Sequence, residues 1–118
     1  MKQASGLPSD LLSAARSALS KKAADVVALD IRRDASFTDY FLLLSGTNQK
    51  QLVAIADAVL DVLRAGGRRP AHIEGYPRQE WILLDYGSFV VHIFTERTRS
   101  FYDLERLWGG AIRVELAG

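Results

Sequence analysis

The residues best suited to chemistry in this chain are Asp85 and His92, carried with Trp81 in the stretch Trp81-Ile82-Leu83-Leu84-Asp85-Tyr86-Gly87-Ser88-Phe89-Val90-Val91-His92-Ile93-Phe94. A carboxylate and an imidazole can move a proton, orient a nucleophile or contribute to a metal site. Beside a tryptophan the same two groups also compose a protein-docking surface. On paper Ser45 completes a nucleophilic triad, yet no Gly-x-Ser-x-Gly elbow surrounds it, and it reads better as a strand-end residue leading into a helix cap. His72 and His92 are the two histidines, and neither stands at metal-ligand spacing from another ligand. Asp30, Asp34 and Asp39 straddle a loop without the glycine and terminal glutamate of a calcium-binding loop, and read as turn and capping carboxylates. Ser45-Gly46-Thr47 precedes a helix whose free amides would attract an anion, but Lys50 is at the wrong offset for a phosphate loop. No metal, cofactor or catalytic residue is expected.

The elements that position these groups belong to an ordinary globular chain. Its 118 residues are 48% apolar and 25% charged, enough to bury a core as one domain. Fifteen basic and fourteen acidic side chains leave a net charge of +1, so no global field draws the chain to nucleic acid or an anionic membrane. The basic pairs are dispersed; Arg97 and Arg99, at the final helix, are the candidates for a minor RNA contact. With no cysteine, thiol catalysis, disulfides and thiolate metal sites are excluded. The first residues hold no long apolar segment, and the longest apolar runs are strand-length, so a cytoplasmic protein without membrane contact is expected.

Ser9 is a plausible cap for a helix over about Ser9 to Lys22, with Asp10 in its first turn. Strands follow at Asp25 to Ile31 and Tyr40 to Ser45, the second apolar on both faces through Phe41-Leu42-Leu43-Leu44. Thr47 or Asn48 caps a long helix bearing Leu52, Ile55, Ala56, Val59, Leu60 and Leu63, which Gly66-Gly67 ends. Ala71 to Glu74 reads as a strand, and a Gly75-Tyr76-Pro77 turn leads into the hairpin. A last helix over Ser100 to Trp108 buries Phe101, Leu104, Leu107 and Trp108. The expected organisation is an N-terminal tail (1–8), one domain (9–108) and a C-terminal tail (109–118). The fold class is α/β: a single small domain with a mixed sheet of about five strands flanked by helices, including one right-handed parallel crossover.

Gly87-Ser88 suits a two-residue turn, pairing Tyr86 with Phe89, Leu84 with Val91 and Ile82 with Ile93. One face then carries Ile82, Leu84, Tyr86, Phe89, Val91 and Ile93, the core beneath the helices. The other carries Trp81, Leu83, Asp85, Val90, His92 and Phe94. This second set reads either as a docking surface or as a second core face with its polar groups satisfied.

Several segments together resemble the ribosomal silencing factor family, also called Iojap-related. They are Ala28-Leu29-Asp30-Ile31, Ser36 to Phe41, Ser45-Gly46-Thr47, Ile55-Ala56-Asp57, Glu74-Gly75, Trp81 to Gly87, Val90 to Phe94, and Phe101 to Trp108. They cover nearly the whole domain, with Ser88 standing where the family often has an acidic residue. The resemblance implies a nucleotidyltransferase-like fold without the catalytic carboxylates. Ser45-Gly46 reverses the Gly-Ser order of such enzymes, and Ala71-His72-Ile73-Glu74 offers one carboxylate where two metal ions need several. It further implies a translation repressor that binds the large ribosomal subunit through its fourteenth ribosomal protein and blocks joining of the small subunit when nutrients are scarce. In the family match Trp81 is the interface tryptophan. Strand alternation adds Leu83 and Phe94 as apolar neighbours, Asp85 and His92 as polar partners, and Tyr76 and Glu74 as rim residues. Two other readings are a metal-dependent nucleotidyltransferase using Asp85 and Glu74, and a homodimer that buries the hairpin face against itself.

Overall fold

A computed structural model describes residues 6–117. Helix α1 spans Ser9–Ser20 and turns Leu11, Ala14, Ala15 and Ala18 inward. Its cap position is Pro8, one residue earlier than expected and without a side-chain bond. Proline suits that place because its fixed φ is already near-helical. Strands β1 (Ala24–Asp30) and β2 (Tyr40–Gly46) pair antiparallel, with an irregular register between Ala24 and Val27. Every residue of β2 is buried, as its doubly apolar pattern requires.

Helix α2 (Gln49–Ala65) starts at Asn48, whose Oδ1 accepts the Gln51 amide at 2.8 Å. That bond satisfies one of the free amides of the first turn, so Asn48→Ala is expected to cost about 1 kcal/mol of stability in urea unfolding. Leu52, Ile55, Ala56, Val59 and Leu63 form its buried face. The short β3 (His72–Glu74) and β4 (Trp81–Asp85) pair antiparallel, and β4 pairs antiparallel with β5 (Phe89–Thr95). The hairpin has the expected register: Ile82 faces Ile93, Leu84 faces Val91, and the Tyr86 amide donates to Phe89 O at 2.9 Å. Gly87 has φ 83°, the positive value its turn position requires.

The chain then departs from expectation in two places. The last helix is two: α3 (Glu96–Tyr102), capped by Thr95, and α4 (Leu104–Leu107), separated at Asp103, which adopts φ 47°. The break splits the expected buried face. Leu104 and Trp108 pack on the domain, whereas Phe101 is 79% and Leu107 72% exposed. Instead of a C-terminal tail, Ile112–Ala117 is a sixth strand, β6, antiparallel to β1. Of the expected N-terminal tail, residues 1–5 lie outside the described residues, as does Gly118 at the other end.

The sheet runs β3-β4-β5-β2-β1-β6, with β2 and β5 parallel. It separates two cores. The larger joins α1 and α2 to one face, including Ile82, Leu84, Tyr86, Phe89, Val91 and Ile93 of the hairpin. The smaller lies on the other face, where Val27, Leu29, Phe41, Leu43, Val90 and Phe94 are covered by Leu104 and Trp108.

Candidate protein-docking site

The three groups of the paper triad are engaged separately. Ser45 is fully buried, and its Oγ accepts from the Arg99 guanidinium at 2.9 Å. Asp85 Oδ1 accepts the Gly87 amide at 2.8 Å and so braces the hairpin turn. His92 Nδ1 accepts the Trp81 indole N–H at 3.0 Å. Among the described residues no three His, Asp or Glu side chains are grouped to hold a metal ion. Arg99, proposed from sequence as an RNA contact, is turned inward: it also donates to Asp25 O and to Glu105. Arg97 remains exposed.

The second hairpin face divides between its two strands. On β5, His92 and Phe94 are buried, 4% and 1% exposed. Neither is the surface residue that alternation suggested, because β5 is an interior strand and the returning α3–α4 segment closes over it. On β4, one strand from the edge, Trp81, Leu83 and Asp85 are only partly buried. Cross-strand pairing puts Trp81 opposite Phe94 and Leu83 opposite His92, so each surface residue has a buried one beside it.

Trp81 is held from several sides. Its ring centroid lies 5.0 Å from Phe94 and 4.7 Å from Tyr102 of α3. The bond to His92 fixes the remaining rotation of the indole. Because indole N–H can only donate, His92 Nδ1 must be unprotonated and the neutral ring carries its proton on Nε2. That Nε2 is buried with no hydrogen-bond partner among the described residues, and the ring meets Phe41 edge-on at 4.6 Å. Burial pushes the His92 pKa down to about 3. In the unfolded chain this imidazole titrates near its ordinary value of about 6.5, so between roughly pH 6.5 and 3 only the unfolded chain takes up the proton. Stability is therefore lost as the pH falls, by about 3 kcal/mol from this group between neutrality and pH ~4. His92→Gln, which keeps an acceptor and does not titrate, is expected to remove that part of the acid sensitivity in urea unfolding measured across pH.

A groove of about 360 Å³ opens beside the indole, walled by Trp81, Leu83, Tyr102, Glu74, Arg78 and Glu80. Its floor is apolar and its rim charged. Glu74 is exposed and pairs with His72 on the same edge strand. Tyr76 is not part of the wall. Its hydroxyl donates to Asp57 of α2 at 3.0 Å, and burial together with that bond raises its pKa. It thus ties the loop before β4 to the helix. Gly75 brings that loop against β4: with φ 94°, an added Cβ would lie 1.9 Å from the Trp81 carbonyl oxygen. The groove residues that sequence reasoning missed are Arg78, Glu80, Thr98 and Tyr102. Only Tyr102 carried a signal, as an aromatic beside Phe101 in a segment taken for a single helix.

Among the described residues no helix is long and apolar enough to cross a membrane. Comparison with known proteins places this scaffold. The family model described as "Ribosomal silencing factor during starvation" matches residues 5–118. A ribosomal silencing factor from Halalkalibacterium halodurans is 42% identical over 98 residues, covering 83% of this chain and 84% of its own. The mouse protein named for mitochondrial assembly of the ribosomal large subunit is 31% identical over 75% of this chain, which spans 40% of that protein. A crystal structure from Chromobacterium violaceum superimposes with a TM-score of 0.83 at 29% identity, over 92% of this chain and 91% of that one. Matched over nearly its whole length by the family and sharing its fold, this chain belongs to the ribosomal silencing factor family.

Proposed function

We propose that this chain is a non-enzymatic translation repressor of the cytoplasm. It docks on the large ribosomal subunit, chiefly on its fourteenth ribosomal protein, and sterically blocks joining of the small subunit, lowering protein synthesis under nutrient limitation. The observation that carries this reading is the Trp81 groove, an immobilised tryptophan at an apolar depression on a scaffold of this family. Such anchors dominate the energetics of protein interfaces. The mouse relative's name supports the large subunit as the partner.

The site also constrains how a partner is held. The indole N–H is already committed to His92, so the partner meets Trp81 through apolar or cation–π contact. Leu83 extends the apolar floor, while Glu74 and Glu80 offer negative charge to a lysine or arginine of the partner. Asp85 spends one oxygen on the hairpin turn and presents the other to such a cation. His92 and Phe94 act from beneath Trp81, and Tyr76 from behind the loop. Exposed Tyr102 and Phe101 prolong the apolar surface along α3. Arg97 is left for any minor RNA contact.

The test is a sucrose-gradient assay with purified subunits. The protein is expected to travel with the large subunit and to reduce the joined-ribosome peak as it saturates that subunit. Normal subunit joining at full occupancy would reject the blocking mechanism.

A further inference from the structure

We propose that Arg99 is a positioning residue of the groove beside Trp81: its guanidinium clamps α3 to the sheet and so sets Tyr102 and Thr98 against the indole. This deepens the docking reading above, and its effect on binding rests on that reading. Helix α3 has little else to hold it down. None of its seven residues is buried, and Phe101 and Tyr102 are exposed, so apolar burial contributes little to its seat. Yet α3 supplies the groove with Thr98 and with Tyr102, whose ring lies 4.7 Å from that of Trp81. Arg99 comes one residue after Thr98 and three before Tyr102, which makes it a neighbour of Tyr102 on the helix surface. Both groove residues therefore follow wherever Arg99 is seated.

Three segments converge on the guanidinium. Its Nη1 donates to Ser45 Oγ, at the end of β2, at 2.9 Å and to the Asp25 carbonyl of β1 at 2.7 Å. Its Nε donates to Glu105 Oε1 of α4 at 3.0 Å, and the side chain is only 10% exposed. Both β-strand acceptors are set by the sheet. Ser45 is fully buried, and Asp25 has φ 51° where the register of β1 with β2 shifts, between Ala24 and Val27. A bulge takes main-chain groups out of the ladder, and here the freed carbonyl meets Arg99. Glu105 also accepts from Arg113 of β6, so the clamp spans the kink at Asp103 and reaches the last strand. Burial alone would raise the Glu105 pKa, but the hydrogen bonds from Arg99 and Arg113 outweigh it and hold the carboxyl below its usual range. A planar fork of donors meets several fixed acceptors at once. Lysine, a point charge on a flexible stem, does not.

The experiment follows solvent exchange of the Trp81 indole N–H by NMR in the free, full chain, with large-subunit co-sedimentation in parallel. The signal is assigned by its loss in Trp81→Phe. Arg99→Met keeps the apolar stem and removes the donors. Below its melt it is expected to speed the indole exchange about tenfold or more, because the groove wall no longer holds the ring. Binding should weaken about threefold or more, since the indole must then be ordered on docking. Arg99→Lys should fall between Arg99→Met and wild type in both. Leu11→Ala, a fully buried truncation on α1, lowers stability without touching α3 and should leave the indole exchange near wild type below its melt. Should Arg99→Met fail to fold, Glu105→Gln leaves Arg99 in place, weakens one side of the clamp and carries the same readouts with smaller shifts. Unchanged indole exchange in the folded clamp variants, or an equal change in Leu11→Ala, would overturn the proposal. Faster exchange in Arg99→Met together with normal binding by Trp81→Ala would uphold the clamp and reject the docking reading instead.

Discussion

An alanine in place of Trp81 is expected to weaken co-sedimentation with the large ribosomal subunit at least about tenfold while the chain stays folded. Truncating a central tryptophan anchor typically costs about 2–4 kcal/mol of binding. Here the indole is also pre-set by Phe94, Tyr102 and His92, so little side-chain freedom remains to be lost on docking. The same packing means that the substitution costs some stability. Trp81 is only partly buried, so its loss should fall below the ~3–5 kcal/mol of a fully buried tryptophan. A domain of ordinary stability, about 5–15 kcal/mol, survives that. Leu84→Ala separates the two effects. Leu84 is fully buried on the other face of the same strand, so its truncation should lower the unfolding temperature more and leave binding nearly intact below the melt. His92→Gln, which retains an acceptor for the indole, should bind within a few-fold of wild type. Undiminished co-sedimentation of Trp81→Ala would sink the anchor role, whatever becomes of the fold.

What could be read in advance was local. The hairpin register follows from Gly87-Ser88, and the central place of β2 follows from four consecutive apolar residues. The α2 boundaries follow from Asn48 and Gly66. What escaped depends on contacts distant in sequence. Alternation assigns His92 and Phe94 to the same face as Trp81 and Leu83, which is right, but cannot say that α3–α4 returns across β5, buries it, and leaves β4 only partly covered. The site is therefore a half-covered face, neither the open surface nor the complete second core. Residues 112–116 do alternate like a strand, but an eight-residue end after Gly109-Gly110 reads as a tail until β1 is seen to need a neighbour. The break at Asp103 had no strong signal either. Aspartate tolerates the left-handed conformation better than most residues, yet nothing nearby in the sequence demands it.

Gly75→Ala should be the most damaging single-methyl change at the site, and Gly87→Ala shows why. Both glycines have positive φ, 94° and 83°, so both substitutions incur the backbone penalty of about 1–2 kcal/mol. At Gly87 a new Cβ meets nothing within 4 Å, and that penalty is the whole expected cost. At Gly75 the same atom would lie 1.9 Å from the Trp81 carbonyl oxygen and 3.1 Å from the Ile82 Cα, both main-chain atoms that no rotamer change can move. The loop must withdraw from β4. Among the described residues β3 is an edge strand paired with β4, so withdrawal loosens the edge, strains the Tyr76–Asp57 bond and shifts Trp81. Overpacking of this kind adds about 1–3 kcal/mol, giving a total of roughly 2–5 kcal/mol for Gly75→Ala. Urea unfolding should place its midpoint well below that of Gly87→Ala, and co-sedimentation should fall with Gly75→Ala alone. Equal midpoints would mean that the loop yields freely, and that the close approach at Gly75 does not hold the tryptophan in place.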